Sequence, residues 1–220
     1  MFGRRGDVTP GVVQVYARSM SDAGILLPKS FYLRPVETVA VDLLGRCLRR
    51  GAVTLRITEV EAYGGREDSA SHCRAGRTAR NAPMWEEGGR AYLYLCYGLH
   101  TMLNLVTGPA GEGSAVLVRA CEPLEGLDLV RERRGPRRGP ELLTGPGRVA
   151  QALGLDLSFN GEPLYEPGGL EVREGTPPET VLRGPRIGVP YAEPVHRQAP
   201  LRFAVGGSAW VSERRTLARP

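Results

Sequence analysis

At 220 residues, the chain is long enough to bury a sizeable core and short enough to be expected as one domain. Hydrophobic residues at 41% and charged residues at 24% describe a packed globular fold and exclude a disordered polymer, and no run approaches the roughly 18 apolar residues of a membrane span. A formal charge of +5 and a pI near 9.3 favour an anionic partner, nucleic acid first, with no membrane partner and an intracellular location expected.

Residues 1 to 24 lack sustained periodicity and read as a loosely held arm. A helix opens at Pro35, where Val36, Val39, Ala40, Leu43 and Leu44 recur at helical spacing until Gly45 ends it. Val53, Leu55 and Ile57 alternate with Thr54, Arg56 and Thr58 as in a half-buried strand, and the same parity carries Glu59, Glu61 and Tyr63 onto the apolar side. A strand whose inner face runs into carboxylates must use or neutralise them, and salt bridges to the abundant arginines would neutralise them. Residues 64 to 89 read as a long functional loop with Arg66, Arg74, Arg77 and Arg80 around His72 and Asn81.

Residues 91 to 98 and 102 to 106 predict a β-hairpin with Tyr97 and Leu99 near its tip. The strand from Ser114 to Ala120 follows, placing Arg119 on the face of Ala115 and Leu117. Helices are expected at 127–134 and from Pro146 to Leu153, and late strands at 186–189 and 201–205. The arginine-rich run 131–138 reads as a solvated loop, and 213–220 as a basic tail. Cys47, Cys96 and Cys121 sit among apolar neighbours and predict buried, reduced thiols, unlike Cys73. With no C-x-x-C pair and no ligand spacing to the three histidines, neither metal nor cofactor is expected. Lys29 is the sole lysine, so the positive surface is almost wholly guanidinium, which suits phosphate; a biased genome composition would give the same ratio.

Thr58-Glu59-Val60-Glu61-Ala62-Tyr63, then Glu67 to His72, Arg80-Asn81, Tyr92 to Gly98, Met102-Leu103-Asn104, Leu117 to Gly126, Gly145-Pro146, Arg186 to Val189 and Pro200 to Phe203 together resemble the alkyladenine (3-methyladenine, or methylpurine) DNA glycosylase family. The resemblance is collinear over roughly residues 25 to 212. It implies an α+β fold: a single compact domain with a curved, mostly antiparallel sheet, peripheral helices and a protruding β-hairpin that inserts into DNA.

It further implies a monofunctional enzyme of base excision repair. Such an enzyme would act as a monomer on double-stranded DNA, in the cytoplasm at the nucleoid of a bacterium or in the nucleus of a eukaryote. It would flip 3-methyladenine, 7-methylguanine, hypoxanthine or ethenoadenine out of the duplex and hydrolyse the bond to deoxyribose. By the same resemblance Glu61 activates water and Arg119 holds that water and keeps Glu61 ionised. Tyr63, His72 and Tyr94 stack on the base, Asn104 crowds the amino group of guanine, and Tyr97 intercalates with Leu99 in support. Glu59 is expected to be structural. Because Lys29 lies outside every motif, no Schiff-base strand cleavage is expected. Two rivals leave parts of the pattern unused: a non-catalytic minor-groove protein has no need of Glu61 and Arg119, and a carbohydrate glycosidase built on Glu59 and Glu61 has none of the wedge.

Overall fold

The structure is a computed structural model and describes residues 24–219. The anticipated arm therefore falls almost entirely outside the described residues. The elements run α1 (Val36–Leu43), β1 (Cys47–Arg50), β2 (Val53–Tyr63), β3 (Ala91–Cys96), β4 (His100–Thr107), β5 (Ser114–Glu125), α2 (Leu127–Arg134), α3 (Pro146–Leu153), β6 (Glu171–Arg173), β7 (Val181–Gly184), α4 (Pro194–Gln198) and β8 (Arg202–Val205). All eight strands join one antiparallel sheet in the order β3-β4-β5-β2-β1-β6, with β8 paired to the second half of β2 and β7 outside it. This is the α+β architecture expected from the sequence.

One face of the sheet is the core. Leu93, Leu103, Leu105, Val116, Val118, Val60 and Ala62 project from it against the apolar stripes of α1 and α3, which supply Val39, Ala40, Leu43, Val149, Ala150 and Leu153. Alternation sends the intervening residues of β3, β4, β5 and β2 to the other face. There an in-register row runs across the sheet: Tyr92 opposite Asn104, Asn104 opposite Leu117, Leu117 opposite Glu61, and Glu61 opposite Arg202.

The strand parity of β2 is not the one anticipated. Core positions step from Ile57 to Val60, and on β5 from Cys121 to Val118, because Thr58 and Arg119 are unpaired at two successive register shifts. A bulge of this kind turns every later side chain to the opposite face. Glu59, Glu61 and Tyr63 thus lie on the face away from Ile57, and the carboxylates leave the main core. The Thr58 hydroxyl donates to the Trp210 carbonyl, and the Arg119 carbonyl accepts from Gly145 N–H at 2.9 Å, so both extra residues are anchored.

Other expectations also change. The segment 186–189 is a loop rather than a strand, since β8 takes the free edge of β2 and pairs on its other side with β7. Residues 131–134 complete α2, and Arg134 is buried by bonds to the Leu142 carbonyl and the Gln151 side chain. Cys73 is buried against Met84, whereas Cys96 is only half-buried because β3 carries it out beyond the core. In the tail, residues 214–216 form a 3-10 turn and Ala218 bridges Arg183.

Candidate active site

On the site face the four strands, the 64–89 loop and the 186–191 loop enclose a cavity of about 250 Å³. Tyr63, His72, Tyr94, Asn104 and Arg119 all line it, and Tyr97 stands at its mouth. Aromatic faces with a few polar groups suit a flat, heterocyclic guest. Glu61 is one layer below this wall and has no exposed surface. Three wall groups hold its carboxylate: Ile187 N–H donates to Oε1 at 2.7 Å, the Tyr63 hydroxyl donates to Oε2 at 2.8 Å, and Arg119 Nη1 lies 3.3 Å from Oε1. A carboxylate offers about four acceptor directions, so one remains, on Oε2.

Behind Glu61 the charges alternate. Arg119 Nε lies 3.5 Å from Glu59 Oε1, and Arg202 Nη1 donates to the same oxygen at 2.9 Å. Glu59 also accepts from Ser212 N–H at 2.7 Å and from the Ser212 hydroxyl at 2.9 Å, which makes it the anchor of the series. Arg202 is fully buried and is satisfied further by the Pro185, Ser212 and Glu213 carbonyls and the Thr216 hydroxyl.

Burial pushes the Glu61 carboxyl above the ordinary carboxylate range; Arg119, Ile187 N–H and the Tyr63 hydroxyl pull the other way without cancelling the shift. This reverses the expectation that pairing with Arg119 dominates. His72 goes down to about 4, first through burial and then through the charges of Arg80 and Arg74, so its ring is neutral at physiological pH. The ring meets Tyr94 edge-on at 4.4 Å between centroids and places Nδ1 3.0 Å from the Tyr92 hydroxyl. Burial keeps that phenol protonated, so the contact is between two neutral groups.

Asn104 Nδ2 donates to the Tyr92 carbonyl at 3.1 Å, which fixes the amide within the wall. At the hairpin tip Tyr97 is 94% exposed and Leu99 77% exposed, while Cys96 and His100 still pair below them. Leu99 N–H closes the turn on the Cys96 carbonyl at 3.0 Å, with Tyr97 at φ 51° and Gly98 at φ 70°. A non-glycine residue held in the left-handed region costs about 1–3 kcal/mol, and here it buys no packing.

Several site groups escaped the sequence reading. Tyr92 shares the parity of Tyr94 and was legible from alternation. Asp68 and Arg186 lie in two separate segments, and nothing in the sequence signals that they pair, Nη2 to Oδ1 at 2.9 Å, with the guanidinium 4.7 Å from the Tyr63 ring centroid. The contribution of Ile187 is a backbone N–H, which no side-chain pattern reveals. Among the described residues no group of three or more His, Cys, Asp or Glu could hold a metal ion, and no helix is long and apolar enough to cross a membrane.

An aromatic cavity backed by a buried, arginine-paired carboxylate and overhung by an exposed tyrosine suits a flat, aromatic guest better than a flexible chain. Residues 30–209 match the methylpurine-DNA glycosylase family, and the chain belongs to that family. It is 60% identical over 192 residues to a putative 3-methyladenine DNA glycosylase of Nitrosococcus oceani, covering 87% of this chain and 96% of the relative. It is 49% identical over 197 residues to a DNA-3-methyladenine glycosylase of Arabidopsis thaliana, covering 89% and 77%. A putative 3-methyladenine DNA glycosylase of Methanoculleus marisnigri is 46% identical over 196 residues, covering 86% and 99%.

Proposed function

We propose that the protein is a monofunctional DNA glycosylase of base excision repair, acting as a monomer on duplex DNA in the nucleoid or nucleus. It extrudes 3-methyladenine, 7-methylguanine, hypoxanthine or ethenoadenine and hydrolyses the bond to deoxyribose. The observation that carries this reading is the buried Glu61 carboxylate beneath an aromatic cavity, held by three wall groups with one acceptor direction left.

Water bound on that direction loses its proton to Glu61 as its oxygen bonds to C1′. The C1′–N bond breaks with its electron pair on the base, and the anionic carboxylate opposes the positive charge developing on the sugar. Arg119 positions the water and Glu61. Tyr63, His72 and Tyr94 hold the ring, an electron-poor alkylpurine gaining cation-π attraction that a normal base lacks. Asn104, pinned by its bond to Tyr92, excludes the guanine amino group.

Lys29, the sole lysine, pairs with Glu87 over the Tyr165 ring and is not among the cavity-lining residues, which supports a monofunctional reading. Methylated duplex DNA incubated with the protein is therefore expected to release free 3-methyladenine and leave intact abasic strands, with no covalent adduct after borohydride. Binding without release would leave a minor-groove protein instead, and an adduct formed as fast as base release would defeat the monofunctional assignment.

Extrusion costs a few kcal/mol of stacking and pairing, and Tyr97, with Leu99 beside it, fills the vacated space. Tyr97→Gly is expected to weaken base release about tenfold or more while raising thermal stability, because glycine relieves the left-handed strain at φ 51° and little packing is lost. A folded protein whose release rate is unaffected would remove the wedge role.

A further inference from the structure

Next to the base cavity, and separated from it only by His72 and Tyr92, lies a second recess of about 180 Å³ lined also by Arg74, Ala75, Thr78, Arg80 and Asn81. Neither Arg74 nor Arg80 pairs with a carboxylate among the described residues. Arg74 donates to the Ser71 carbonyl and lies over the Tyr191 ring; Arg80 donates to the Leu95 carbonyl on the hairpin and lies over the Tyr94 ring. A guanidinium has five N–H donors, so most remain free.

The frame is fixed rather than pliant. Asn81 Nδ2 donates to the His72 and Gly76 carbonyls, both at 2.9 Å, and its Oδ1 accepts from Thr78 N–H at 2.7 Å and from Trp85 Nε1 at 3.3 Å. The Thr78 hydroxyl accepts from Asn81 N–H and keeps its own hydrogen for another partner.

We propose that this recess is an anion subsite that seats a phosphate group of the DNA backbone between Arg74, Arg80 and the Thr78 hydroxyl, coupling phosphate docking to the His72 wall of the base cavity. Two forked cations and a hydroxyl are phosphate donors, and a single phosphate would satisfy them together. The coupling is electrostatic. His72 faces the Tyr92 hydroxyl and Tyr94 ring on β3 and is held neutral by burial and by the charges of Arg80 and Arg74. An anion on those arginines offsets their charges, so the imidazole binds its proton more tightly when the backbone is docked. The ring then shifts from a neutral wall toward a cation with two donors, which changes what it offers the base.

The free subsite stands apart from the proposed function, and only its DNA-backbone ligand rests on that reading. The test uses the full chain, whose three histidines are His72, His100 and His196. Their titrations are followed by NMR between pH 3 and 8 with sulfate, and with chloride at equal ionic strength. Sulfate is expected to move the His72 midpoint upward by about one pH unit and to leave the other two in place. The double variant Arg74→Gln, Arg80→Gln is expected to start from a raised His72 midpoint and show no sulfate response. Equal movement of all three histidines, or a sulfate response retained in the double variant, would overturn the subsite.

A second arm measures the salt dependence of binding to undamaged duplex, where the double variant is expected to lose about one to two from the log–log slope. An unchanged slope beside an intact sulfate response would overturn the DNA-backbone assignment and point to free phosphate. Neither arm measures base release, so failure of the glycosylase reading is seen separately.

Discussion

Glu61→Gln is expected to lower base release by about a hundred- to ten-thousand-fold while leaving binding of alkylated duplex largely intact. The amide still fills the space and its oxygen can still accept from Ile187 N–H or the Tyr63 hydroxyl, but it cannot take a proton from water. Burial raises the Glu61 pKa, and general-base action needs the carboxylate, so the wild-type rate should fall on acidification through a midpoint above the ordinary glutamate value. The same shift has a stability consequence. A carboxyl whose folded pKa lies above its unfolded value contributes stability that is fully present below the unfolded pKa and lost as pH rises through the folded one. Thermal unfolding of both proteins across pH should therefore show the wild type gaining on the Gln variant as pH falls. Retained activity in Glu61→Gln would end the assignment, and a stability difference independent of pH would show that burial does not govern this carboxyl.

Most residues that build the site were legible from the family resemblance, and strand parity is consistent with where several of them lie. Arg119 shares the parity of Leu117, whereas Tyr94 alternates with Leu93 and Asn104 with Leu103, and Arg119, Tyr94 and Asn104 all line the cavity. Glu61 and Tyr63 reached the right cavity by an incorrect route: strict alternation put them with Ile57, whereas the bulge at Thr58 and Arg119 takes them to the opposite face. Nothing in Ile57-Thr58-Glu59 announces an unpaired residue, since a bulge is decided by the partner strand and not by local preference. The edge strands β6 and β7, of three and four residues, were missed for a related reason: so short a segment carries too few alternations to register. Residues 186–189 look strand-like because the loop is apolar, yet that apolarity is spent on lining the cavity with Ile187 and Val189.

The largest stability effect should come from Glu59, a residue with no direct role in the proposed chemistry. Glu59→Ala leaves the fully buried Arg202 without the carboxylate it pairs with among the described residues and removes one of the two acids beside Arg119. Removing one partner of a buried pair costs about 3–5 kcal/mol, because the remaining charge stays out of water without a counter-charge. In a chain of this size that is a fall of roughly 6–20 °C in Tm. Arg202→Met should be comparably harmful, since Glu59 would keep only Arg119 and Ser212. The decisive comparison is the double variant: once both charges are gone the uncompensated ion disappears, and the loss should be well below the sum of the single losses. Its remaining activity then separates two duties of Glu59. If Arg119 needs Glu59 only to keep the strands folded, base release in the double variant recovers with stability. If Glu59 also aims the guanidinium at Glu61, stability recovers while the rate stays low, and the alternating series from Arg202 to Glu61 is a positioning device for the base. Single losses that simply add would show that the two side chains do not interact, against the 2.9 Å contact between them.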